Sequence, residues 1–190
     1  GESFDGTALA AYTTPNAVVL AVNDLDGWST NAAMDIVFSG SINPASVVAN
    51  GTVFLVKLNT GEGDALDPAS IVGVAPPAEQ PTFAAQVISL NGPSNNVVRI
   101  MPTKPLDPAA KYLVFLTNGI VDGGAAATTP STNFQALSTG APGVLGSLDG
   151  IGKVLTAARG IAGNVISVGT GGTVTPTQGA SMVTVAYTFT

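Results

Sequence analysis

Short apolar runs alternate with Gly, Pro and Asx clusters over the first three quarters of the chain. Residues 18–22 form a continuous apolar run of the length of a buried strand. Met34, Ile36 and Phe38 alternate with Asp35, Val37 and Ser39, which predicts a strand ending at Gly40. Asn43-Pro44-Ala45-Ser46 then predicts one helical winding, with Asn43 as cap and Pro44 where a missing N–H is harmless. Residues 52–58 predict a second strand with Val53, Leu55 and Lys57 on one face and Phe54, Val56 and Leu58 on the other. Residues 59–67 read as a loop, and Pro76, Pro77 and Pro81 mark an irregular stretch at a sheet edge or in a loop. Residues 86–90 and 97–101 bracket a Gly/Pro/Asn cluster and predict a hairpin. Residues 112–117 predict a further strand, 120–124 a turn, and 133–137 the last strand of this unit.

About seven short strands with regular turn signals predict a mainly β fold, an antiparallel β-sandwich. The pattern changes at residues 139–143. Beyond them Val144, Leu148, Ile151, Leu155 and Ala158 recur at steps of three or four, which predicts a helix over 143–159. Gly146, Gly150, Gly152, Gly160 and Gly163 oppose it, at about 1 kcal/mol for each interior Gly relative to Ala. A Gly/Thr loop near 169–173 precedes a final alternating segment, 182–189, which either returns to the sandwich edge or belongs to a neighbouring domain. The expected organisation is a polar leader (1–16), an Ig-like sandwich (17–138) and a helix-plus-strand appendage (139–190).

Composition narrows the function. Of the 190 residues only 9% are charged, against about 25% in an ordinary soluble domain. Twelve acids and six bases give a net charge of −6, and the bases are scattered, which argues against a nucleic-acid partner. There is no His and no Cys, so a Ser-His-Asp triad, a thiolate nucleophile, an imidazole metal site and a disulfide are all excluded within the chain. The longest apolar run, 17–22, falls far short of the roughly 20 residues a spanning helix needs, so no transmembrane segment is expected.

Few residues offer chemistry. Asp24 and Asp26 ahead of Gly27 match the middle of a calcium loop, but its first and twelfth positions fall on Val22 and Ala33. Capping of a turn explains them better. Trp28, the single tryptophan, is either a stacking platform for a ligand or a core residue. Trp28, Asp24 and Asp26 are the candidate ligand contacts. The Gly-rich spots at 123–124 and 169–172 lack a phosphate-loop or dinucleotide pattern, and Gly146-Ser147 does not form a G-x-S-x-G elbow. Asp64, Asp67, Asp107 and Asp122 stand beside Gly or Pro or close to them, as turn residues do, and single out no catalytic pair. No catalytic residue, metal or cofactor is expected.

Two stretches together resemble a known family. One is Asn23-Asp24-Leu25-Asp26-Gly27-Trp28-Ser29-Thr30, followed by the 34–40 strand and Ile42-Asn43-Pro44-Ala45-Ser46-Val47. The other runs from Val98-Arg99-Ile100-Met101-Pro102 through Pro105-Leu106-Asp107-Pro108 and Tyr112-Leu113-Val114 to Thr117-Asn118-Gly119-Ile120 and Asp122. The strand–F-S-G-x-I-x-P-A-S pattern with P-L-x-P-x-x-x-Y-x-V resembles bacterial Ig-like domains of the surface-layer type. The fuller form, with N-D-L-D-G-W-S-T and T-N-G-I, resembles the N-terminal domain of bacterial virulence-factor lipases, as does the closing Val185-Ala186-Tyr187-Thr188-Phe189-Thr190. The resemblance implies a non-catalytic accessory domain at the extracellular or outer-membrane surface of a Gram-negative bacterium. Its implied partner is a downstream α/β-hydrolase domain of the same polypeptide, with lipid or cell-surface glycan as further partners. The alternative is a binding or adhesion module of a cell-surface protein.

Overall fold

The computed structural model describes residues 29–61, 70–90, 94–140 and 146–190. The predicted strand at 18–22 and the 1–16 leader lie outside the described residues. The strand predicted at Met34 is β1 (Met34–Val37), and Asn43 caps a 3-10 turn (Pro44–Ser46) by accepting from the Ala45 N–H at 3.0 Å. Next come β2 (Val53–Thr60) and β3 (Ile71–Val74), then a 3-10 turn (Pro77–Glu79) in the proline-rich stretch. The predicted hairpin is β4 (Phe83–Ile88) with β5 (Val97–Pro102), in antiparallel register from Phe83↔Pro102 to Ile88↔Val97. The strand predicted at 112–117 is β6 (Lys111–Thr117).

Two antiparallel sheets result, ordered β1-β5-β4 and β3-β2-β6 with one more strand beside β6. Their facing sides share one core: Val98, Ile100 and Phe83 from the first sheet, Val53, Leu55, Val114 and Leu116 from the second. Leu106 and Ile120 plug its ends from loops.

The segment expected as a last strand at 133–137 is instead helix α1 (Thr132–Thr139). Ser131 caps it, its Oγ accepting from the Phe134 N–H at 3.2 Å. Phe134, Leu137 and Ser138 are its least exposed side chains, a helical spacing that five residues of apparent alternation conceal. The helix expected over 143–159 is α2 (Asp149–Gly169), entered by a 3-10 turn at Gly146–Leu148. It runs ten residues further than predicted because its buried stripe continues through Ala158, Ala162 and Ile166. A third helix, α3 (Pro176–Met182), was not foreseen. It starts with a capping box: the Gln178 N–H donates to Thr175 Oγ1 (3.3 Å), and the Thr175 N–H donates back to Gln178 Oε1 (2.9 Å). β7 (Val183–Phe189) closes the chain and pairs antiparallel with β6. The register shifts by one residue between Leu116 and Thr117. Thr184 sits at this bulge, and its hydroxyl donates to the Leu116 carbonyl at 3.2 Å.

The helices make a third layer. Val56, Leu58, Leu113 and Phe115 on the outer side of the second sheet pack against Ala158, Ala162 and Ile166 of α2, with Phe134 and Met182 alongside. The second sheet is thus covered on both faces, and all seven residues of β6 are buried. Helix packing depends on two glycines. A Cβ on Gly163 would lie 2.7 Å from the Ala180 nitrogen, and one on Gly179 would lie 2.6 Å from the Gly163 carbonyl oxygen. Arg159 ties the layer together, its Nε donating to the Ala180 carbonyl (2.8 Å) and its Nη1 to Ser138 Oγ (3.4 Å).

Candidate functional site

Trp28, Asp24 and Asp26 lie outside the described residues, as do Asp64 and Asp67. The described residues form two concavities. Both border on the β5–β6 connection.

The first is an apolar groove of about 270 Å³ along the seam between the sheets, where β1 and β7 face each other. Ser29, Ala32, Ala33 and Met34 line one side, Tyr187 and Phe189 the other, and Leu106 the floor. The aromatic rings are mutually braced: Tyr112 and Phe189 stack at 5.6 Å, and Tyr187 tilts against Phe189 at 6.4 Å. Burial pushes the Tyr187 phenol up to about 12, because its anion cannot be solvated there. Asp35 stands at the groove's edge in a two-point pair with Arg99, Nε–Oδ1 2.7 Å and Nη2–Oδ2 2.6 Å. Those bonds hold the Asp35 carboxyl below its ordinary value, outweighing a partial desolvation. They join β1 to β5 on the outer face of the first sheet, directly across the Asp35↔Arg99 register pair.

The second concavity is polar, also about 270 Å³, and lined among others by Glu79, Gln80, Lys104, Asp107 and Tyr112. Lys57 reaches into this region from β2 and pairs with Asp107 (2.8 Å) and Glu79 (3.2 Å). Both carboxylates raise its pKa, which keeps the amine protonated and removes it as a base or nucleophile. Gln80 stands in for a strand neighbour. Its Oε1 accepts from the Lys57 N–H (2.9 Å), and its Nε2 donates to the carbonyls of Lys57 (3.2 Å) and Ala75 (2.7 Å). The Tyr112 hydroxyl accepts from the Asp107 N–H at 2.9 Å and so fixes the connection ahead of β6.

Asp122 behaves as the turn residue that was predicted, accepting from the N–H groups of Gly124 and Ala126, each at 2.8 Å. Asp107 does more than turn the chain, since it is an ion-pair partner of Lys57. The aromatic pair of the groove escaped sequence reasoning. Tyr187 and Phe189 are far in sequence from Met34 and Leu106, and only the return of β7 to the sheet brings them together.

Among the described residues no three Asp or Glu side chains converge as metal ligands, and no helix is long and apolar enough to cross a membrane. In comparisons with known proteins, no family model, no curated protein and no solved structure matches the chain.

Proposed function

We propose that this chain is an Ig-like, non-catalytic accessory domain that stands ahead of the hydrolase domain of a secreted or surface-anchored bacterial lipase. The observation that carries the Ig-like part is the order of strands. β1-β5-β4 corresponds to strands B-E-D, and β3-β2-β6-β7 to C′-C-F-G. A second feature agrees with it. Tyr112 lies at the start of the F-equivalent strand, and its hydroxyl binds the backbone five residues upstream, as the tyrosine corner of such domains does. Here α1, α2 and α3 fall between the F and G equivalents. The lipase part rests on the N-D-L-D-G-W-S-T and T-N-G-I stretches and is therefore an argument from likeness. With neither His nor Cys in its sequence, the domain's work would be mechanical: spacing the enzyme from its anchor and packing against it.

The test compares ester hydrolysis by this 190-residue chain with that of the full product of its gene, on short- and long-chain esters. Cleavage by the longer protein alone is the expected result. Cleavage by neither would replace the lipase reading with that of an adhesion module, and cleavage by the short chain would overturn both.

A further inference from the structure

A chain without His or Cys still holds one kind of covalent reactivity that needs no catalyst, the attack of a backbone nitrogen on an asparagine side chain. Glycine after the asparagine favours it, because no Cβ blocks the approach. Three such pairs occur: Asn50-Gly51, Asn91-Gly92 and Asn118-Gly119. Asn91-Gly92 lies outside the described residues. The other two are exposed and stand close together at one end of the second sheet, where the Thr117 N–H donates to the Thr52 carbonyl at 3.0 Å.

They differ in how the attacking nitrogen is held. The Gly51 N–H donates to the Val48 carbonyl at 3.1 Å. The Gly119 N–H has only the Thr117 hydroxyl, at 3.4 Å, beyond the length of a good bond. Among the described residues no hydrogen bond holds the Asn118 carboxamide. The turn around this pair is anchored nonetheless. The Asn118 N–H donates to the Met182 carbonyl at 2.8 Å, and the Ile120 N–H donates to the Thr117 carbonyl at 3.1 Å.

We propose that Asn118-Gly119 is a site of spontaneous modification, where the domain converts an asparagine to isoaspartate as it ages. The Gly119 nitrogen, its proton taken by solvent hydroxide, bonds to Asn118 Cγ. The Cγ–Nδ2 bond breaks and ammonia leaves. Water then opens the succinimide ring at either carbonyl. One product is aspartate; the other is isoaspartate, with the main chain rerouted through Cβ and Cγ. Both add a negative charge to a chain already at −6. Isoaspartate also inserts a main-chain atom into the turn. The bond to Met182 at the entry to β7 and the fully buried Ile120 then cannot both keep their places. This inference does not depend on the lipase reading.

The test holds the folded 190-residue chain at mildly alkaline pH and follows it by peptide mass spectrometry. Asn118 should gain one mass unit about fivefold faster than Asn50, the factor that one hydrogen bond on the attacking nitrogen is worth. The gain should quicken with pH, and the product should label with an isoaspartate-specific methyltransferase. Unfolding in urea should bring the two rates together, since the difference belongs to the fold. Equal rates in the folded chain, or faster change at Asn50, overturn the proposal. Asn118→Asp supplies the charge without the added main-chain atom and should keep the urea midpoint of fresh protein. The aged, isoaspartate-bearing fraction should unfold at a lower one. An aged fraction as stable as fresh protein, or an Asn118→Asp variant as weak as the aged one, overturns the effect assigned to the turn.

Discussion

Gly160 and Gly163 stand one helical turn apart on α2 and respond oppositely to the same substitution. Gly160 is exposed, and a Cβ there would meet nothing within 4 Å. Gly160→Ala should raise stability by about 1 kcal/mol, the difference in helix propensity. At Gly163 the added carbon would press on the α3 backbone, which cannot yield as a flexible side chain can. Gly163→Ala should therefore cost about 2 kcal/mol despite the better propensity. Urea unfolding of the two variants checks both signs. Tyr187 makes a prediction about pH. Its folded pKa of about 12 lies above the ordinary 10.0, so its contribution to stability is complete below pH 10. It is lost as pH rises through 12, because the unfolded chain gives up the proton first. An alkaline unfolding series should show stability falling across that window, and Tyr187→Phe should flatten the fall.

At the scale of the element, caps decide where helices begin. Ser131→Ala and Thr175→Ala remove the side-chain acceptors at the heads of α1 and α3. Each should cost about 1 kcal/mol by denaturant midpoint. Elements of this kind were legible to different degrees. β2 was readable on both faces, because the pattern of apolar residues at Val53 and Leu55 and again at Phe54, Val56 and Leu58 reports a strand covered twice. α3 was readable in principle from Thr175-Pro176-Thr177-Gln178, a capping box with Pro at its first helical position. Its glycine and small residues gave no apolar stripe to draw attention to it. Residues 133–137 misled because Phe134 and Ala136 fit an alternation, whereas the cap at Ser131 marks a helix. β3 is four residues long with a glycine inside, too little pattern to register against its proline-rich surroundings. The groove had no local signature at all, being assembled from β1, β7 and the β5–β6 connection.

The described residues form three layers, and the helical segment expected as an appendage covers one face of a sheet. Leu113, Phe115 and Val56 would face water without α2. A chain ending at Gly140 should therefore bind 8-anilinonaphthalene sulfonate and lose the near-ultraviolet signal of packed aromatics, including the Phe54–Phe115 stack at 4.4 Å. A truncation that stays monomeric with an unfolding transition as sharp as that of the full chain would contradict this. The position of β7 carries one more consequence. β6 and β7 are neighbours in the sheet, yet the whole helical layer, residues 118–182, separates them in the chain. Among the described strands their pairing closes the widest detour between two sheet neighbours, so its entropy must be spent before its contacts form. During synthesis, the open side of β6 waits for a strand that emerges only after all three helices. In that interval the β7 of a neighbouring nascent chain is chemically equivalent to its own. Crowded polysomes should therefore favour strand-exchanged dimers, and slow, dilute expression should favour the monomer.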